Sequence, residues 1–266
     1  MSLKVFKSVA VASCVALVAA ACGGSNGGGR SVPIKTVSAT SSLGAIVGAS
    51  CTIAPANNPA NILDTGTTNT SGLVSWDVPD STGPVIVSCS GGSYYDEASN
   101  GFISLSGTIR AVAPSTATSV AITPLTDLAA IATERAGGVI TDDLINNAAA
   151  AIGSYFGVTD ILSPPQVVND ATDLSNLTGD NAGVYAAVLA GLSDIGATGG
   201  GNAESALTRL QADLQADDDL GDDITRNEID GATNNRAAGT AAAAPAASNQ
   251  ASPNRNNGSI QPTGAG

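Results

Sequence analysis

The sequence predicts an α+β protein in which an antiparallel β-sandwich domain is followed by a separate bundle of short helices and a disordered tail. Apolar residues recur with a period of two over residues 32–123, which indicates strands. The period becomes helical over 124–231. From 232 to 266 the chain is rich in Ala, Asn, Gly, Pro and Ser without apolar periodicity, which is typical of disorder.

The first 21 residues have the features of a secretory signal peptide. Lys4 and Lys7 form a positive amino-terminal region, and Ser8 to Ala21 is a short apolar stretch that ends in small residues. This stretch is shorter than the ~20 residues that a membrane-spanning helix needs. We therefore expect residues 1–21 to be removed after export.

The segment Val18-Ala19-Ala20-Ala21-Cys22 resembles the lipobox of bacterial lipoproteins, in which small or aliphatic residues precede an invariant cysteine. It departs from the commonest form, because Ala19 stands where Leu is most frequent. The resemblance implies that the Cys22 thiol receives a diacylglycerol and that the new amino terminus is acylated, which together hold the chain at a membrane. An ordinary signal peptide with an incidental cysteine is the alternative.

A Gly/Ser-rich tether over residues 22–31 favours the lipid anchor, because a flexible segment is expected between a lipid and a folded domain. Gly23 follows the cysteine where Asp would retain a lipoprotein at the inner membrane. The lipobox resemblance therefore implies an exported protein anchored in the outer membrane, facing the periplasm or the cell surface.

The predicted β domain contains five groups of alternating apolar residues. Turn sequences such as Asn57-Asn58-Pro59, Gly83-Pro84 and Asn100-Gly101 separate them. Several short strands at this spacing are typical of a small antiparallel sandwich. The groups are Val47, Ala49, Cys51 and Ile53; Val74, Trp76 and Val78; Val85, Val87 and Cys89; Ile103, Leu105 and Ile109; and Val120 with Ile122.

Cys51 and Cys89 both lie on these apolar faces. Cys14 leaves with the signal peptide and Cys22 is assigned to the lipid, so Cys51 and Cys89 are the pair that remains. In an exported domain we expect them to form a disulfide. Two buried free thiols, or a metal site that uses both thiolates, are the alternatives.

The stretch from Gly44 to Glu97 resembles carboxypeptidase-regulatory-like and transthyretin-like β-sandwiches. The matching motifs are the strand Gly44–Ala49, the turn Thr68–Gly72 and the Gly92–Tyr94 strand. The resemblance implies an Ig-like or transthyretin-like sandwich that serves as a structural or recognition module.

Helices are predicted from Thr123 onward. Thr123 is a suitable N-cap with Pro124 at the first helical position, and Thr141 is a suitable N-cap for the next helix. Four amphipathic helices would pack as a small bundle. Their apolar stripes are Leu125, Leu128 and Ala132; Ile145, Ala148, Ile152, Tyr155 and Phe156; Tyr185, Val188, Leu189, Leu192 and Ile195; and Ala203, Ala206, Leu207, Leu210 and Leu214.

Two of these helices, at Thr123–Ala129 and Tyr185–Ser193, are similar to segments of a group of exported proteobacterial lipoproteins. In that group a β-sandwich precedes a T-P-L-T helix, so the resemblance implies the same architecture here. The aromatic residues Tyr155, Phe156 and Tyr185 are interpreted as core residues, with a ligand pocket as the alternative.

The charge and composition exclude several functions. The formal net charge is −13, and it becomes −15 when Lys4 and Lys7 are removed. Such a chain repels the phosphates of nucleic acids and anionic lipid headgroups, so we expect neither as a partner. The chain contains no His, and His is the commonest general base and transition-metal ligand. No Ser or Cys triad and no zinc motif is present, so we expect no cofactor.

Two acidic clusters are the candidates for chemistry. Asp217, Asp219, Asp222 and Asp223 are weak calcium candidates, because the register of an EF-hand loop fails there; a solvated helix end is the alternative. Asp96 and Glu97 are the best carboxyl pair for a hydrolase, but adjacent residues point to opposite sides of a strand, so an exposed loop is the preferred interpretation.

The leading hypothesis is a non-enzymatic envelope lipoprotein that displays a structural or binding module, with an envelope protein or a glycan as partner. The alternatives are a receptor for a glycan or an apolar small molecule, and a hydrolase that uses carboxylates alone.

Overall fold

A computed structural model describes residues 32–260 of the chain, so the predicted signal peptide, Cys14, Cys22 and the predicted tether lie outside the described residues. Within this range the protein is α+β. The strands are β1 (Ile34–Ser41), β2 (Ser50–Pro55), β3 (Asp64–Thr67), β4 (Leu73–Pro79), β5 (Val85–Ser90), β6 (Ser93–Asp96), β7 (Gly101–Ser104), β8 (Thr108–Ala113) and β9 (Ser119–Ile122).

The strands form two larger sheets and one hairpin. The three-stranded sheet has the order β4-β1-β9, in which β1 is antiparallel to β4 and parallel to β9. The sheet is therefore mixed, which corrects the prediction of purely antiparallel pairing. The four-stranded sheet β3-β2-β5-β8 is antiparallel, and β6 pairs with β7. The predicted group Ile103, Leu105 and Ile109 spans both β7 and β8.

The disulfide between Cys51 and Cys89 is confirmed. The two residues are directly opposite each other on β2 and β5, with their Cα atoms 4.1 Å apart. Their side chains form the bond, which removes the free-thiol and metal-site alternatives. The bond closes a loop over a separation of 38 residues, and the chain-entropy model gives such a loop about 3–4 kcal/mol of stabilisation.

The seven helices of the described range are α1 (Pro124–Arg135), α2 (Asp142–Phe156), α3 (Ala171–Ser175), α4 (Asn181–Thr198), α5 (Ala203–Asp217), α6 (Arg226–Ala237) and α7 (Ala243–Gln250). Both predicted N-caps are confirmed, because Thr123 Oγ1 accepts from the Thr126 N–H and Thr141 Oγ1 accepts from the Leu144 N–H, each at 3.2 Å. Among residues 32–260 no single helix is long and apolar enough to cross a membrane, and α4 and α5 meet that test only as a pair bent by 91°.

One hydrophobic core serves both the sheets and the helices. Ile53 and Trp76, from the two larger sheets, belong to the same buried cluster as Leu128, Ile152 and Leu192, from α1, α2 and α4. The described residues form one compact unit. The expected division into a β domain and a separate helical domain is therefore not observed. Helices α1 and α2 pack against β8 as well as against each other.

The predicted disordered tail is wrong for residues 232–260. The end of α6 and the whole of α7 lie in this segment, with Ala237 and Ala246 buried. Beyond α7 the chain runs to Ile260, which is buried and donates its N–H to the Asp218 carbonyl at 3.0 Å. Residues 261–266 lie outside the described residues.

Arg255 fixes this last segment to the core. It is buried, and its Nε donates to the carbonyl oxygens of Tyr155 at 2.9 Å and Ser154 at 3.2 Å. Both carbonyls lie at the carboxyl end of helix α2, where backbone carbonyls run out of helical partners, and that of Ser154 also accepts from the Gly157 N–H at 3.4 Å. The Arg255 Nη1 also donates to Asp230 Oδ2 at 2.7 Å.

We predict that Arg255→Met destabilises the protein by about 3 kcal/mol, because it leaves Asp230 and the Tyr155 carbonyl without their buried partner. The free energy of unfolding in urea measures this. The control is Arg135→Met, which removes the exposed ion pair with Asp218 and should leave stability close to wild type. Equal stability of the Arg255→Met and wild-type proteins would show that the last segment is not bound to the core.

Candidate functional site

The carboxyl pair Asp96 and Glu97 is buried at the junction between the β6–β7 hairpin and the helices. Asp96 ends β6 and Glu97 begins the turn, and they are only 2% and 5% exposed. The interpretation as an exposed loop is therefore wrong. Burial of two adjacent carboxyl groups is costly unless they are hydrogen-bonded or neutral, and the two residues solve this in different ways.

Asp96 is satisfied by hydrogen bonds. Its Oδ1 accepts from the Ser193 hydroxyl on α4 at 2.7 Å, and its Oδ2 accepts from the Ser99 N–H at 2.9 Å. The Ser193 oxygen in turn accepts from the Ala98 N–H at 3.0 Å. The hairpin is thus joined to α4 by a chain of buried hydrogen bonds. In the sequence, Ser193 is the last residue of the Tyr185–Ser193 segment that resembles exported lipoproteins, and that resemblance predicted no role for it.

Glu97 has a buried oxygen without a partner. Its Oε2 makes no hydrogen bond within residues 32–260. Burial is the largest cause that raises the pKa of Glu97 from 4.5 to about 8; the charge of Asp96 contributes to this rise, and the charge of Arg236 opposes it. Glu97 is therefore mostly a neutral acid at pH 7, which is how a buried carboxyl without a full set of donors avoids the cost of its charge.

An ion pair between Arg236 and Asp194 lies beside Glu97 and joins α6 to α4. The Arg236 Nε donates to Asp194 Oδ2 at 2.6 Å, and its Nη2 contacts Asp194 Oδ1. The hydrogen bond to Asp194 raises the pKa of Arg236. Arg236 lies in the segment that was expected to be disordered, so no sequence pattern pointed to it. We refer to Asp96, Glu97, Ser193, Asp194 and Arg236 as the carboxyl cluster.

A cleft of about 940 Å³ opens next to the carboxyl cluster; Asp194 of the cluster and Ala98, which follows Glu97, both line it. Its walls come from the end of α4, the first half of α5 and the middle of α6, and we call it the α4–α6 cleft. Small residues leave the space open, and polar side chains surround it. The lining residues are Ala98, Asp194, Ile195, Ala197, Thr198, Gly199, Arg209, Glu228, Ala232 and Asn235.

The calcium candidates are not brought together. Asp217 Oδ1 accepts from the Asp219 N–H at 3.2 Å, and Asp219 Oδ1 accepts from the Leu220 N–H at 2.8 Å. Asp223 pairs with Arg209, and Asp222 donates its N–H to Asp213. Asp217 and Asp219 thus bond to the backbone of their own loop, whereas Asp222 and Asp223 bond to residues of α5. In residues 32–260 no group of three or more His, Cys, Asp or Glu side chains is placed to hold a metal ion.

The aromatic candidates pack in the core. Tyr155, Phe156 and Tyr185 are each at most 1% exposed. The rings of Tyr155 and Phe156 meet edge to face at 5.3 Å, and the Tyr185 hydroxyl bonds to Thr123 Oγ1. That bond connects the two segments whose motifs resemble exported lipoproteins, and it agrees with core packing.

We predict that the ionisation of Glu97 lowers the stability of the protein as the pH rises. The native state keeps the Glu97 proton up to about pH 8, whereas the unfolded chain releases it near pH 4.5. The free energy of unfolding therefore falls between these values and levels off above them, by at most about 5 kcal/mol. Below about pH 4.5 Glu97 is protonated in both the native and the unfolded state, so its burial carries no ionisation penalty.

The measurement is urea unfolding of wild type and Glu97→Gln from about pH 4 to about pH 9. Gln cannot ionise, so the variant should gain stability over wild type across this range. The exposed Glu134→Gln is the matched control and should follow the wild-type curve. A constant difference between Glu97→Gln and wild type at every pH would contradict the buried neutral acid.

Comparison of the chain with protein-family models, with curated proteins and with solved structures gives no match. The resemblances to lipoproteins and to transthyretin-like sandwiches therefore rest on the sequence motifs alone.

Proposed function

We propose that the chain is a non-enzymatic lipoprotein of the cell envelope, held at the outer membrane by a lipid on Cys22, which presents the folded unit as a binding or structural module. The anchor rests on the lipobox-like segment Val18–Cys22 and on the Gly/Ser-rich tether to residue 31. Such a tether lets a folded unit stand away from the membrane surface.

The burial of Asp96 and Glu97 is the observation that supports a binding role over catalysis. General acid–base chemistry needs a carboxyl group within hydrogen-bond reach of the substrate. Both residues are almost fully buried, and Asp96 already accepts from Ser193 and Ser99. The carboxylate-only hydrolase thus loses its best candidates.

The β region fits a sandwich of the Ig-like or transthyretin-like type. The apolar faces of the two larger sheets contribute to one core, with Val37 and Trp76 from one sheet and Ile53 and Val87 from the other. In a β-sandwich the inward faces of two sheets likewise supply the side chains of one shared core. We infer a module whose rigid sheets carry the helices.

A receptor role for a small molecule is the second candidate, and the α4–α6 cleft favours it. An apolar ligand fits poorly, because Ile195 is the one large aliphatic residue among those that line the cleft. A glycan would lack the aromatic side chains on which sugar rings stack, since none lines the cleft. The cleft therefore favours a small polar ligand.

The lipid anchor is tested with two cysteine variants of the full chain in a Gram-negative host. We expect labelled palmitate to enter the wild type and Cys14→Ser, because Cys14 leaves with the signal peptide. Cys22→Ser should remain unlabelled and should be absent from the outer-membrane fraction. Equal labelling of Cys22→Ser and wild type, or no labelling of the wild type, would overturn the proposed anchor.

A further inference from the structure

The α4–α6 cleft presents a fixed cation. Arg209 on α5 donates from Nε to Asp223 Oδ2 at 2.8 Å, and from Nη2 to Asp223 Oδ1 at 2.9 Å and the Asp223 carbonyl at 3.1 Å. This ion pair raises the pKa of Arg209 and orients its guanidinium group. Nη1 has no partner within residues 32–260, and it lies near Gly199, 3.9 Å from where a Cβ on that glycine would be. A guanidinium edge faces the cleft ready to bind a carboxylate.

The cleft also presents a fixed anion. Glu228 belongs to the first turn of α6, and its Oε2 accepts from the N–H and the hydroxyl of Thr225 at 2.8 and 2.7 Å. Its other oxygen, Oε1, makes no hydrogen bond with the described residues. The hydrogen bonds from Thr225 lower the pKa of Glu228, and the nearby charge of Arg209 lowers it further. Glu228 is therefore ionised, oriented, and close to Arg209.

Two further groups complete a polar surface. Asp194 lines the wall, and its carboxylate is held in place by Arg236. Asn235, about two helical turns beyond Glu228 on α6, lines the same space. Ala197, Gly199 and Ala232 keep the volume within the range of small-ligand sites.

We propose that the α4–α6 cleft binds a small zwitterion, a free α-amino acid or a short peptide with both termini unblocked. The ligand carboxylate pairs with Nη1 of Arg209, and the ligand ammonium pairs with Oε1 of Glu228 and with Asp194. Charged groups of both signs within one cleft favour a ligand that carries both. This inference goes beyond the envelope role and does not depend on the lipid anchor.

Calorimetric titration of the full mature chain in detergent tests this proposal. The probes are glycine, alanine and dialanine, together with N-acetylalanine, which lacks the ammonium group, and alaninamide, which lacks the carboxylate. We expect at least one unblocked probe to bind and each blocked form of alanine to bind about tenfold or more weakly than alanine or dialanine.

Two variants locate the site. Glu228→Gln keeps the helix cap, because Gln serves in a capping box as well as Glu, and it should weaken binding about tenfold or more. Arg209→Gln should do the same. Arg135→Gln is the matched control, because its ion pair with Asp218 involves no residue that lines the cleft, and it should bind as wild type.

The proposal is overturned if none of the unblocked probes binds at millimolar concentration, or if the blocked forms bind as tightly as the unblocked ones. It is also overturned if Glu228→Gln and Arg209→Gln bind as wild type while still folded, as judged by their thermal unfolding. None of these results bears on Cys22, so failure of the ligand assignment and failure of the anchor are distinguishable.

Discussion

The rest of the structure depends on the enclosure of helix α4 by the chain around it. One side, with Tyr185, Leu189 and Leu192, belongs to the large core beneath the sheets, and the opposite side, with Val184 and Ala187, belongs to a second apolar cluster with residues of α6 and α7. A helix that is apolar all round is stable in water only when it is covered on every side. The cover has to come from elements distant in the chain, and the last helices supply it.

Close backbone approach makes this enclosure possible and also creates the cleft. Gly191 faces α6, where an added Cβ would lie 3.0 Å from the Thr233 nitrogen. This contact draws α6 against α4 and brings Arg236 to Asp194, beside the neutral Glu97. Towards the end of α4 the small residues Ala197 and Gly199 leave the wall thin, so that the space between α4, α5 and α6 opens to solvent. The close packing of α6 against α4 at Gly191 and the open cleft at Ala197 and Gly199 therefore both result from small residues along α4 and at its end.

Local rules predicted the local features well. The caps at Thr123 and Thr141 and the Cys51–Cys89 pair follow from neighbouring residues or from counting cysteines. The end of α6 and α7 were missed because their buried residues are small: Ala237 and Ala246 become core residues only where another helix approaches closely. The burial of Asp96 was missed because its partner Ser193 is 97 residues away. The parallel pairing of β9 with β1 likewise depends on long-range topology.

Native-state hydrogen exchange tests most directly whether residues 32–260 form one cooperative unit around α4. The account predicts that the interior amides of α4, α6 and α7 exchange with solvent only through global unfolding. Their free energies of exchange should therefore equal one another and equal the free energy of global unfolding. Exchange of the α6 and α7 amides at the rate of an unstructured peptide, while α4 stays protected, would contradict it.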